Sequence, residues 1–112
     1  KYLNYFFPLT SDLNRLDDRF MAPTRICWGG NNRTVMIRIP DTAPKRLEHR
    51  LAGSNSDPAK VIFAILHCIK KGLTHSSQVK KYDKIHGNAF DFQYKLEKIS
   101  EVYNARYVTI AN

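Results

Sequence analysis

Arg15, Arg33, Arg38, Arg46, Glu48 and Arg50 form the part of this chain whose side chains could do chemistry. Most of them lie in two neighbouring segments, Asn32-Arg33-Thr34-Val35-Met36-Ile37-Arg38-Ile39-Pro40 and Lys45-Arg46-Leu47-Glu48-His49-Arg50. The second segment alternates, which predicts a β-strand with Arg46, Glu48 and Arg50 on one face and Leu47, His49 and Leu51 on the other. A carboxylate flanked by two guanidiniums can hold a cation and an anion side by side. Phosphoryl transfer needs that pairing, because developing negative charge must be neutralised from more than one direction. Taken alone, such a face is commonly a surface ion-pair ladder that adds little stability.

The elements that must position these residues are short. Thr24 to Trp28 reads as a strand ended by Gly29-Gly30 and the turn-forming pair Asn31-Asn32. Thr34 to Ile39 reads as a second strand that Pro40 stops. Asp41 to Pro44 connects it to a third strand, Lys45 to Leu51, expected to run antiparallel to it. The clearest element is a helix. Asp57 suits its N-cap and Pro58 its first turn, where a missing N–H costs nothing. Val61, Ile62, Ile65, Leu66 and Ile69 recur at helical spacing as a core-facing stripe. Lys70 and Lys71 suit the C-terminal dipole, and Gly72 the position just past the end. Residues 10–23 read as a polar surface loop. Residues 74–112 show weak periodicity, with a helical turn or two expected in Lys95 to Tyr103 and a short strand at residues 107–110. The expected fold class is α+β: a short antiparallel sheet packed by one main amphipathic helix.

At 112 residues the chain is one small domain at most, with a modest core, and 43% hydrophobic residues set it apart from disordered sequences. The longest apolar run, Val61 to Leu66, falls far short of the roughly 20 residues of a membrane span. No signal peptide is visible, and Cys27 and Cys68 lack metal-finger spacing. Both read as small core residues with reduced thiols, which favours a cytoplasmic setting. The aromatic start (Tyr2, Tyr5, Phe6, Phe7), with no initiating methionine, is expected of a chain cut from something longer. A net charge of +8 suggests nucleic acid, but no aromatic RNA-binding motif, zinc finger or helix-turn-helix accompanies it. Missing segments that carry the balancing acids explain it better.

These segments resemble the C-terminal part of the catalytic domain of glutamine synthetases and related γ-glutamyl ligases. The family's Asn-Arg-Ser/Thr-x-x-x-Arg-Ile/Val-Pro stretch stands as Asn32 to Pro40, and its Arg-x-Glu-x-Arg stretch as Arg46 to Arg50. The Asn-Pro-Tyr helix start appears as Asp57-Pro58-Ala59. Arg15-Leu16 and Ala22-Pro23 fall where the family has Lys-Arg-Leu and Glu-Ala-Pro, and Gly87 to Asp91 resembles a feature of some relatives. The motif-bearing core is residues 15–73. Four motifs in order outweigh the ion-pair-ladder reading. The resemblance implies ATP-dependent formation of glutamine from glutamate and ammonia through γ-glutamyl phosphate. It implies Arg33 as catalytic, contacting the transferring phosphoryl and the substrate carboxylate. Arg38 and Arg46, with Lys45, would hold ATP phosphates, Glu48 would bind Mg2+ or Mn2+, and Arg15 and Arg50 would grip glutamate. A homo-oligomer is implied for the intact form. His49, opposite Glu48, is expected to pack, and His67, His75 and His86 to be structural or solvated.

The departures point elsewhere. The family's flap glutamate, which helps bind ammonium and take its proton, is replaced by Met21, and a thioether is no base. Relatives that make γ-glutamyl amides of larger amines, or a non-catalytic remnant, are the alternatives. The family's other metal ligands lie upstream of anything present, so the 112-residue chain by itself is expected to be inactive.

Overall fold

The structure, a computed structural model, describes residues 2–107. In chain order its elements are α1 (Leu3–Phe6), β1 (Trp28–Gly29), β2 (Ile37–Arg38), β3 (Glu48–His49), α2 (Pro58–Thr74), β4 (Lys84–Ile85) and α3 (Ile99–Tyr107). Tight helical turns occupy Thr10–Arg15 and Asp18–Phe20, where a loop was expected. The first is tied by Asp12, whose carboxylate accepts from the Leu9 N–H at 2.8 Å.

The sheet order is β3-β2-β1-β4. β2 and β3 run antiparallel as expected, with Arg38 opposite Glu48 and Ile37 opposite His49. The other two pairings are parallel, β1 with β2 and β1 with β4, so the sheet is mixed rather than antiparallel throughout. β4 was not foreseen, because Lys84-Ile85 lies in polar sequence that carries no alternating pattern. Its attachment is tertiary: the Trp28 indole donates to the Tyr82 carbonyl at 2.7 Å, and Trp28 pairs with Lys84. β1, β2 and β3 are each shorter than the expected spans 24–28, 34–39 and 45–51. At the start of the first one, Arg25 bridges to Lys98 instead, the Ile26 N–H donates to the Glu97 carbonyl, and the Ile99 N–H donates to the Thr24 carbonyl.

Two clusters make the core. Phe6, Phe7, Leu51, Ala64, Ile99 and Tyr103 form the larger, and the buried Tyr103 hydroxyl donates to the Phe7 carbonyl at 2.9 Å. Cys27, Val35, Ile85 and Ala89 form the smaller one against the sheet. The two cysteines part company here, Cys27 buried and Cys68 exposed.

Helix α2 begins as expected, the Asp57 carboxylate accepting from the Ala59 N–H at 2.9 Å. It runs through Gly72 to Thr74, where the Thr74 hydroxyl donates to the Lys70 carbonyl. Its stripe is covered only in part. Ala64 is buried and Val61 and Ile65 pack against the core, but Ile62, Leu66 and Ile69 stay 58%, 60% and 41% exposed. The reason is geometric: α2 leans on α1, not flat on the sheet, so only one side of a wide apolar face finds cover. The weakly periodic tail does hold a helix, α3, anchored by Ile99 and Tyr103. The strand expected at residues 107–110 lies, past Tyr107, outside the described residues.

Candidate functional site

The loop between β1 and β2 carries Arg33 and is held by side chains on either side of it. Gly29 opens the loop because a Cβ there would stand 2.9 Å from the Ile85 carbonyl oxygen. The Asn32 carboxamide oxygen accepts from the Thr34 N–H at 2.9 Å and from the Thr34 hydroxyl at 2.7 Å. Its amide nitrogen donates to the Gly87 carbonyl at 2.7 Å, with a longer 3.4 Å contact to that of Ile85. The buried Thr34 hydroxyl in turn accepts from the Ala89 N–H at 2.9 Å. Arg33, between these two anchors, is exposed. Asn32-x-Thr34 reads in sequence only as a turn; its link to residues 85–89 spans 55 positions and no local pattern reports it.

β2 and β3 bring the next three charges together. Arg38 donates to the Glu48 carboxylate at 2.9 Å, and Arg46 approaches its other oxygen at 3.6 Å. The Arg38 fork also donates to the Asn31 side chain, while its buried Nε has no partner among the described residues. Arg46 is steadied by the carbonyls of Thr42 and Pro44, at 3.2 and 3.0 Å. The hydrogen bond from Arg38 above all, with the charges of Arg38, Arg46 and Arg50, holds the Glu48 carboxyl below its usual range. Lys45 is exposed beside this group.

Arg50 and Arg15 serve backbone carbonyls. Arg50 donates to those of Val35 at 2.7 Å and Met21 at 2.8 Å. Arg15 donates to the Leu51 carbonyl and, at 3.5 Å, to that of Arg50. Burial above all, then the positive charge of Arg38, pushes Arg50 down from its ordinary value, with Arg15 and Arg33 contributing and Glu48 opposing. All five arginines and Glu48 therefore share one electrostatic neighbourhood. Met21 caps the turn Asp18–Phe20 in a left-handed conformation, φ 58°. Its tie to Arg50 places it beside the cluster, which sequence alone did not show. His49 packs as expected, its ring 4.4 Å from that of Phe6, and burial pushes its pKa down. The His67 ring stacks among Tyr2 and Phe63, and the His75 ring hydrogen-bonds the Thr74 hydroxyl.

Chemically, the face can neutralise and orient a polyanion. Among the described residues no three His, Cys, Asp or Glu side chains converge, and Glu48 already answers two guanidiniums.

Residues 2–105 match the family described as glutamine synthetase, catalytic domain. The chain is similar to a gamma-glutamylputrescine synthetase of Escherichia coli, 34% identical over 75% of this chain, and to a type-1 glutamine synthetase of Dictyostelium discoideum, 33% identical over 85% of it. A glutamine synthetase of Staphylococcus aureus is 31% identical over 64% of the chain. The chain spans only 18% of the length of the first two relatives and 17% of the third. With its sequence matched almost end to end and its arginines gathered about one glutamate, this chain belongs to the glutamine synthetase family and corresponds to part of the catalytic domain.

Proposed function

We propose that this chain contributes the cationic part of an ATP-dependent carboxylate–amine ligase site. In that reaction a substrate γ-carboxylate takes the terminal phosphoryl group of ATP, and an amine then displaces phosphate from the acyl phosphate. The observation that carries the reading is the convergence of Arg38 and Arg46 on Glu48, with Arg33 exposed beside them on an anchored loop. Arg38 and Arg46, assisted by Lys45, orient the polyphosphate. Arg33, free of ion pairs among the described residues, is the guanidinium available to follow charge as it develops on the transferring group. Arg50 and Arg15 sit where a substrate carboxylate would exchange for backbone carbonyls. Glu48 supplies one ligand for Mg2+ or Mn2+, in a set completed by residues outside this chain, and the intact protein works as a homo-oligomer.

Met21 beside Arg50 supports a second reading of the amine. An apolar, 45% exposed side chain suits an alkylamine or polyamine better than ammonium, and a relative named gamma-glutamylputrescine synthetase is among those matched. In a form carrying the whole catalytic domain, ammonia should outperform putrescine and ethylamine under the first reading and lose to them under the second.

The chain itself offers a direct test. Calorimetric titration with tripolyphosphate and with magnesium–ATP at low salt should show weak binding, diminished by Arg33→Ala and by Arg46→Ala. Binding that ignores both substitutions, or a micromolar dissociation constant for magnesium–ATP on this part alone, would count against the assignment.

A further inference from the structure

The last turns of α2 carry a second basic surface, which shares no residue with the arginine cluster. His67, Lys70, Lys71, Thr74 and the capping His75 recur at intervals of three and four residues, so they stand one above another on a single helix face. With Gln78, from the tight turn Ser76–Gln78, they line a cavity of about 350 Å3. All of them belong to one continuous stretch, residues 67–78, so the walls of the cavity are complete within this chain. Lys70 and Lys71 make no ion pair among the described residues, and residues 58–82 contain no acid. Lys80, by contrast, is held by Glu97 at 3.2 Å. Like charges at helical spacing repel one another, and an anion seated among them relieves that repulsion.

The hydrogen bonds here fix the state of one imidazole. The Thr74 hydroxyl has a single proton, which it donates to the Lys70 carbonyl at 2.8 Å. Its 2.8 Å contact with His75 Nδ1 therefore needs a proton on that nitrogen. Nε2 of the neutral ring is then a bare acceptor, and it becomes a donor only when the ring takes a second proton. A helix C-terminus carries about half a negative charge, which disfavours an anion. Here the Lys70 and Lys71 carbonyls are already taken, by the Thr74 hydroxyl and by the His75 N–H at 2.8 Å, and two ammonium groups exceed that partial charge. We propose that this cavity binds a small phosphate-type dianion between Lys70 and Lys71, with His75 protonated as it binds. The remaining titratable group at the cavity is His67, its ring set edge-on to Tyr2 at 5.5 Å, and the turn that follows brings only Gln78. A cavity of this size suits a small molecule and not a duplex. The inference stands on the end of α2 and does not depend on the ligase reading.

The test follows the imidazole proton resonances of His67 and His75 by NMR as pyrophosphate is added to the 112-residue chain at constant ionic strength. The expected result is a saturable shift of both, at least about tenfold weaker when Lys70→Gln and Lys71→Gln are combined. Glutamine is nearly as good a helix former as lysine, so the helix persists in that variant. Lys81→Gln, the same charge change outside the cavity, and Arg33→Ala, in the arginine cluster, should each leave the affinity unchanged. Sulfate, whose charge is constant between about pH 8 and pH 6, should bind more tightly at the lower value, and His75→Gln should remove that gain. No saturation by about 10 mM pyrophosphate overturns the proposal, as does an equal loss in Lys81→Gln, which would mean diffuse charge alone. Loss in Arg33→Ala, sulfate affinity independent of pH, or a DNA oligonucleotide that moves the same resonances where pyrophosphate does not, overturns it too.

Discussion

Replacing Asn32 by alanine tests whether a side chain that touches no ligand holds the Arg33 loop in place. The carboxamide makes three well-formed hydrogen bonds, with the Thr34 N–H (2.9 Å), the Thr34 hydroxyl (2.7 Å) and the Gly87 carbonyl (2.7 Å). At about 1 kcal/mol net for each, with Thr34 buried and unable to recruit water freely, the loss comes to roughly 2–3 kcal/mol. That is a large share of the roughly 5–15 kcal/mol available to a small domain. With a urea slope of about 1–3 kcal/mol per molar, the unfolding midpoint should fall by roughly 0.7–3 M. Asn32→Asp keeps the acceptor for Thr34 but sets a carboxylate against the Gly87 carbonyl, so it should destabilise at least as much. Tripolyphosphate affinity should drop in both variants even where the fold persists. A midpoint shift below about 0.3 M at unchanged slope for Asn32→Ala would refute the argument that these bonds anchor the loop.

Glu48→Gln probes the ionic face through acid titration. The folded carboxyl titrates below its ordinary 4.5, so its stabilising contribution is complete above that value and is lost as pH falls through the lower folded value. The stability gap between wild type and variant, open at neutral pH, should therefore close in acid; a gap independent of pH would show that the pairing with Arg38 and Arg46 adds nothing. His49→Leu probes the other face. Burial lowers the folded pKa from 6.5, so the unfolded chain takes up the proton first and wild-type stability declines as pH drops below that value. Urea midpoints across that window should flatten in the variant, and an undiminished slope would place the titration elsewhere. Leu51→Ala, at a 1% exposed core position, should cost about 2–5 kcal/mol by chemical denaturation. A loss under about 1 kcal/mol would mean the Phe6–Phe7–Tyr103 cluster closes over the gap.

Much of the site was legible because its chemistry is encoded by residue type and short spacing. Alternation alone placed Arg46 and Glu48 together and Leu47 and His49 opposite, and the β2–β3 register then set Arg38 on Glu48. The N-cap of α2 was equally local: Asp57 and Pro58 act within one turn. What failed were judgements about cover. The α2 stripe has helical period, yet period says which residues share a face and nothing about whether a partner lies against it. The parallel pairing of β4 with β1 is out of reach for the same reason, since it joins residues more than 50 positions apart through Trp28 and Tyr82.

By itself the sequence determined the family, the arginine–glutamate face and the start of the main helix: each motif spans ten residues or fewer, and their order along residues 15–73 needs no fold to be read. Only the tertiary structure decided that Arg50 and Arg15 are bound to backbone carbonyls, that Met21 lies beside them, and that Asn32 and Thr34 are tied to residues 85–89. Those facts depend on which distant carbonyls the folded chain leaves without strand partners. A buried carbonyl takes whatever donor folding brings to it.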